Sequence, residues 1–217
     1  MVSDADREAE HAIEDLLLAE RPRDGLLAEE GARAESNTGR LWVVDPLDGT
    51  TNYLYGFPAW AVSIALEDEN GGLVGVVFDP LRSELFTVIR GEGARLNGKP
   101  IQVNAISSLD TALIATGFGY QAQRRSEQAE VLLRVLPRVR DIRRAGAAAL
   151  DMCWVGAGRV DGYFERGVNH WDRAAGALVA AEAGAEIIEL GAAPAGLVVA
   201  EPAVARELFE LVRTAGD

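Results

Sequence analysis

Residues 42–52 read WVVDPLDGTTN. An apolar run, Leu41–Val44, reads as a strand, and it is followed by two aspartates three positions apart, Asp45 and Asp48. Pro46 fixes the backbone between them as a turn, so both carboxylates point past the strand end, and the Leu47 carbonyl becomes a third oxygen. Carboxylate, carbonyl and water oxygens are what a hard cation such as Mg²⁺ takes as ligands. Gly49 lets the backbone come close to a ligand. The N–H groups of Gly49 to Thr51 suit an anion if a helix or turn begins there, and a hydroxyl at Thr50 or Thr51 can orient a water. A metal on one side and a phosphate nest on the other describe a metal-dependent phosphate site. The plain alternative is an Asp-Pro-x-Asp-Gly turn whose aspartates only cap a helix.

Two other segments raise the metal reading. Leu26–Ala28 reads as a short strand that delivers Glu29 and Glu30 at its end, a third carboxylate that can bridge metals or else ordinary surface charge. In NHWDRAAGALVAAEAG, Asp172 stands at a helix start as a ligand or a plain cap, and Ala174, Ala175 and Gly176 make that helix small-sided enough to pack closely on a sheet.

The rest of the chain supplies the frame. Ser3–Glu20 reads as a helix with Ser3 or Asp4 as cap and an apolar stripe of Ala9, Ala12, Ile13, Leu16 and Leu17. Residues 32–40 read as a loop. From Trp60 the runs AWAVSIALED, GLVGVVFDP and ELFTVIRGEG read as an antiparallel meander, and Asn97-Gly98 as a hairpin turn. Strands at 112–116, 141–143, 162–165 and 196–200 then alternate with helices at 125–136, 147–155, 172–183 and 202–213, a pattern for packed layers of helices and sheets.

The 217 residues carry a formal charge of −13, which argues against nucleic-acid or anionic-membrane binding. The cluster Arg138, Arg140, Arg143 and Arg144 reads as solvated surface. Cys153 is the sole cysteine and reads as a buried small hydrophobe. A polar acidic start and no apolar run of about 18 residues point to a soluble cytoplasmic protein. Tyr53, Tyr55, Phe57 and Trp60 read as packing under the loop, His11 as exposed, and GEGARLNGKPI as a hairpin rather than a phosphate loop.

WVVDPLDGTTNYLYGFPAWAVSIAL and HWDRAAGALVAAEAGA resemble the two signatures of the inositol monophosphatase family, AEEG its upstream glutamate box, and DADREAE the start of its first metal-site helix. The resemblance implies an α-β-α-β-α sandwich without that family's usual first helix and hairpin. It implies one unit over residues 1–217, with a β-rich metal-site half (1–115) and an αβ half (116–217). Glu29, Asp45 and the Leu47 carbonyl would hold a first Mg²⁺, and Asp45, Asp48 and Asp172 a second. Glu29 with waters would help hold a third, and Mn²⁺ can substitute. Gly49 and Thr50 would bind phosphate, and Asp6 with Thr50 would activate water beside Glu29. Glu165, Asp48, Asp172 and the Ala148 backbone would meet the substrate, and His170 would line the pocket wall.

The implied reaction is hydrolysis of a small polyol or sugar phosphate, with myo-inositol 1-phosphate first and histidinol phosphate or fructose 1,6-bisphosphate as alternatives. The implied protein is a lithium-sensitive homodimer. Departures from the pattern are the short stretch before Asp6, Ala147 where a threonine is usual, and Ala183-Gly184-Ala185 in place of a double glycine. A catalytically impaired phosphate- and metal-binding regulatory protein is the alternative of another class.

Overall fold

The computed structural model describes residues 2–191, 193–214 and 216–217. Helix α1 (Asp4–Glu20) opens on a capping box, in which Ser3 Oγ accepts from the Asp6 N–H and the Asp6 carboxylate accepts from the Ser3 N–H. Its buried face differs from the stripe read from spacing. Asp6 and Glu10 are buried, with Ile13 and Leu17 packed below them on Leu26, Ala28 and Val44, while Leu16 is 63% exposed. Two acids displaced the apolar stripe because each has a partner at the site.

Strands β1 (Gly25–Ala28), β2 (Arg33–Ala34) and β3 (Leu41–Asp48) follow, then a short helix α2 (Thr50–Tyr55). The segment 32–40 is thus not all loop: β2 pairs back on β1. The meander is β4 (Ala61–Asp68), β5 (Gly71–Asp79) and β6 (Glu84–Ile89), and the hairpin is β7 (Gly93–Leu96) with β8 (Lys99–Pro100). Asn97 (φ 48°) and Gly98 (φ 76°) make its turn, the left-handed pair that a tight hairpin requires. These strands form one eight-stranded sheet in the order β2-β1-β3-β4-β5-β6-β7-β8, and within it β1 and β3 run parallel.

The second half contributes β9 (Leu113–Thr116), α3 (Ala122–Val135), β10 (Asp141–Arg143), α4 (Ala148–Gly156), β11 (Gly162–Arg166) and α5 (His170–Glu182). Then come β12 (Glu186–Leu190), β13 (Gly196–Ala200) and α6 (Pro202–Val212). The five strands pair in the order β10-β9-β11-β13-β12. Strand β12 escaped the sequence reading because EIIEL does not alternate: it is an edge strand with two adjacent half-buried isoleucines between exposed glutamates.

Five layers result: α1, the eight-stranded sheet, α4 with α5, the five-stranded sheet, and α3 with α6. Leu150, Cys153, Ala175 and Val179 of the middle helices meet Val43, Val77 and Phe86 of the first sheet. Met152, Val155 and Ala180 meet Tyr163, Leu197 and Val199 of the second. The small side of α5 serves both neighbours. A Cβ at Gly176 would lie 2.8 Å from the Ala149 carbonyl of α4, and a Cβ at Gly75 would lie 3.4 Å from Ala175 Cα. The close packing of α5 is therefore against a helix as well as a sheet. The stacking brings the ends of β1 and β3 to the starts of α4 and α5, and the site forms there.

Candidate metal and phosphate site

Positions three apart on a regular strand face opposite sides. Asp45 and Asp48 nevertheless line the same cleft. Opposite β4, Asp45 pairs with Ser63 and Asp48 with Ala61, so β3 carries one extra residue between them, a β-bulge. Pro46, which has no N–H for the ladder, sits in that bulge, where its loss is tolerated. The connection is thus a bulge inside a strand running to Asp48, and the turn expected after Val44 is absent. Asp45 Oδ1 accepts from the Leu47 N–H at 3.0 Å, which steadies the bulge.

Glu29 arrives from the end of β1 and Asp172 from the first turn of α5. Ligand oxygens of Glu29, Asp45 and Asp172 all lie within 4.8 Å of one another. Asp48 is outside this trio. Its Oδ1 accepts from the Ala148 N–H at 3.1 Å and its Oδ2 from the Ala149 N–H at 2.7 Å, so it caps α4. The Ala148 N–H is thereby engaged with Asp48. Thr50 Oγ1 lies 2.9 Å from Asp6 Oδ1 and 3.1 Å from the Leu47 carbonyl. Of the two threonines, Thr50 faces the cleft, while Thr51 Oγ1 is buried elsewhere without a partner. Gly49 has φ 92°, and a Cβ there would lie 2.9 Å from the Ala59 carbonyl, so a structural need for glycine stands beside the close approach to a ligand.

One supporting residue was not legible in the sequence. Glu10 accepts from the Glu30 N–H at 2.8 Å and the Ala32 N–H at 3.0 Å, holding the turn that presents Glu29. Its position one turn after Asp6 was the available signal. Asn52 acts similarly, donating Nδ2 to the Ala59 and Ala145 carbonyls at 2.6 and 2.9 Å and tying α2 to the start of α4.

The electrostatics fit a cation. Burial pushes the Glu29 carboxyl up to about 7, with Asp172, Glu30 and Asp6 adding repulsion. Burial raises Asp45 well above the carboxylate range, helped by Asp48, Glu29 and Asp172. Asp48 and Asp172 also rise, chiefly through burial. Glu29 and Asp45 are in hydrogen-bond contact, an arrangement that needs either a shared proton or a cation between them. The donor set is all hard oxygen, as Mg²⁺ prefers. These residues fit the metal.

A sequence model of the inositol monophosphatase family matches residues 1–214. The chain belongs to that family. It is 42% identical to inositol-1-monophosphatase SuhB of Mycobacterium tuberculosis over 221 aligned residues, covering 96% of this chain and 76% of that protein. It is 39% identical to a protein named Nus factor SuhB from Vibrio cholerae, over 100% of this chain and 84% of that one. Its fold matches the crystal structure of the extragenic suppressor protein suhB from Bartonella henselae with a TM-score of 0.91 at 37% identity, over 99% of this chain and 86% of that one.

The remaining residues implied by the inositol monophosphatase resemblance are placed as follows. Glu165, on β11, lines the cleft, accepts from the Tyr163 hydroxyl at 2.7 Å, and is pushed up to about 7 by burial against the opposing pull of Tyr163 and Arg144. A Cβ at Gly117 would lie 1.8 Å from its Oε2, so glycine makes room for it. His170 is not on the cleft wall. It pairs with Glu67 at 2.8 Å in a groove on the outer side of α5, because a residue two before Asp172 points away from it on a helix. Arg144 is exposed, as the surface reading of its cluster expects, and it also lines the cleft and stacks over Phe118 at 5.8 Å. Of the aromatic residues after the Asp box, Tyr53 packs edge-on against Trp60 at 5.2 Å, but Tyr55 and Phe57 are 82% and 51% exposed. They do not pack under the loop.

Proposed function

We propose that this chain hydrolyses phosphate monoesters of small polyols or sugars, with myo-inositol 1-phosphate as the reference substrate and Mg²⁺ as cofactor. The observation that carries the reading is the convergence of Glu29, Asp45 and Asp172 within 4.8 Å beside the Thr50–Asp6 pair. Glu29, Asp45, the Leu47 carbonyl, Asp48 and Asp172 would hold the metal, and when bound it supplies charge neutralisation and a more acidic water. The chain's own residues do the rest. The backbone of Gly49 and Thr50, at the uncapped start of α2, receives the phosphate oxygens. Thr50 donates its hydroxyl hydrogen to Asp6, which leaves a lone pair to accept from the attacking water, and the proton passes towards Asp6. Glu165 accepts from substrate hydroxyls and orients the ring.

The direct test is phosphate release from a panel of sugar phosphates with and without Mg²⁺, with Asp45→Asn as control. Mg²⁺-dependent release that disappears in the variant is the expected result. Release that ignores both overturns the proposal. The relative named Nus factor SuhB motivates a second reading, a regulatory protein that binds metal and phosphate without turnover. Retention of Glu29, Asp45, Thr50 and Asp172 favours the enzyme. We further propose a homodimer, supported by the contiguous exposed side chains Tyr53, Leu54, Tyr55 and Phe57. We place the protein in the cytoplasm, consistent with its single buried cysteine. No helix among the described residues is long and apolar enough to cross a membrane.

A further inference from the structure

Ser63 lies on β4 directly opposite Asp45 of β3. Alternate residues of a strand share a face, and directly opposite residues of an antiparallel pair share it too. Val43 and Asp45 therefore face the same way as Ala61, Ser63 and Ala65. Val77 of β5 flanks Ser63 on its other side. Val43, Ala61, Ala65 and Val77 belong to the apolar layer between the first sheet and the middle helices, which bring Ala149, Cys153 and Ala175 to it. Ser63 thus stands among apolar neighbours along and across the sheet, except on the side of Asp45. Both residues are 1% exposed. A hydroxyl buried in such surroundings is unfavourable unless it is hydrogen-bonded. Ser63 Oγ nevertheless has no hydrogen-bond partner among the described residues. Other buried polar side chains of the same sheet have theirs. Asp79 accepts from the Leu81 and Arg82 N–H groups at 3.0 and 3.1 Å, and Asp48 from the Ala149 N–H at 2.7 Å. Opposite residues have Cβ atoms about 4.5–5.5 Å apart, so rotation of Ser63 about its one side-chain torsion brings Oγ within reach of the Asp45 carboxylate.

We propose that Ser63 is a positioning residue for the cation: its hydroxyl donates to the Asp45 carboxylate and fixes the direction in which that carboxylate offers its remaining lone pairs to Mg²⁺. The inference rests on the metal reading of the Glu29, Asp45 and Asp172 cluster and deepens it. An ionised carboxylate has about four acceptor positions. The Leu47 N–H takes one at Oδ1, and others face Glu29 and Asp172. Ser63 is the donor that the strand register places beside what is left. A hydrogen bond to a charged acceptor is about twice as strong as one between neutral groups. Groups that orient a metal ligand without touching the metal typically matter about 10- to 100-fold in metal affinity.

The test compares the full chain with Ser63→Ala in two measurements that need no substrate: calorimetric titration with Mg²⁺, repeated with Mn²⁺, and the melting temperature of the metal-free protein. Ser63→Ala is expected to weaken Mg²⁺ binding about tenfold. The metal-free melting temperature is expected to stay the same or rise, because the substitution removes an unbonded buried hydroxyl and leaves the strand and its apolar neighbours in place. Mg²⁺ binding that changes by less than about twofold overturns the inference and leaves the metal reading standing. Weaker binding accompanied by a fall of several degrees in the metal-free melting temperature also overturns it, since Ser63 would then be supporting the sheet and not the ligand. Absence of both Mg²⁺ and Mn²⁺ binding in the unaltered chain overturns the metal reading, and the role of Ser63 falls with it.

Discussion

The two walls of the cleft are built differently. Glu29, Asp45, Asp48 and Asp172 stand at the ends of β1 and β3 and in the first turn of α5, on elements packed into the middle of the sandwich. The opposite wall is largely loop: Gly117 to Gln121, Arg144 to Gly146 and Gly167 to Asn169. The first wall gathers charge that repels itself and is held by burial and a bulge. The second carries unpaired arginines and exposed aromatic rings such as Tyr120, 75% exposed. The clustered carboxylates sit on rigid elements that fix their positions, and the loop wall lies where sequence can change without disturbing the core.

That contrast breaks most sharply at Asp45. Asp45→Asn is expected to lower Mg²⁺-dependent phosphate release by ~10³-fold or more, the scale of losing several kcal/mol of metal-assisted stabilisation. The same variant is expected to raise the melting temperature of the metal-free protein, because a buried, self-repelling charge is gone. A drop in both activity and metal-free stability would show that Asp45 is structural.

Glu10 tests whether the rigid wall depends on what lies behind it. Glu10→Ala leaves the Glu30 and Ala32 N–H groups without their acceptor. The expected cost is about 2 kcal/mol, or roughly 6 °C in melting temperature for a chain this size, with weaker Mg²⁺ binding. An unchanged Mg²⁺ titration would separate this turn from the site.

The pH dependence follows from Glu29, raised from 4.5 to about 7. Its folded pKa lies above its unfolded one. The stability it contributes is therefore complete below about pH 4.5 and is lost as pH rises through about 7. Between pH 5 and 8 the metal-free protein is expected to lose roughly 5 °C, after discounting for the exposed part of Glu29, and Mg²⁺ should flatten the trend. A Mg²⁺-induced shift in thermal melts that is no larger at pH 8 than at pH 5 would contradict this account.

The smallest effect is expected at Tyr163→Phe. It removes the hydroxyl that donates to Glu165 at 2.7 Å. Substrate KM should rise by about threefold to tenfold with kcat little changed, since one charge-assisted hydrogen bond is at stake. A fall in kcat with constant KM would move Glu165 from substrate positioning into the chemistry.

Local chemistry was legible without coordinates. The two aspartates around Pro46-Leu47, the glycine and threonines after them, the glutamate pair after a short strand and the aspartate opening a small-sided helix are each short-range patterns of oxygen donors and permissive backbone. A helix cap at Ser3 or Asp4, the hairpin turn at Asn97-Gly98 and the meander were legible for the same reason: each is decided within a few residues by turn chemistry or by the period of the apolar positions. What failed in the sequence reading were features whose cause lies far along the chain. Glu10 is buried because the turn after β1 needs an acceptor twenty residues away. Asp48 caps a helix a hundred residues on. Arg144, though exposed, also lines the cleft, where it lies over Phe118. His170 faces the wrong side of α5, and β12 has no alternation since it is an edge. The sequence by itself determined which side chains were available for metal and phosphate chemistry, through local spacing. Tertiary structure alone decided which of them share one cleft, since the bulge register and the packing of α4 and α5 between two sheets set directions that no local pattern encodes.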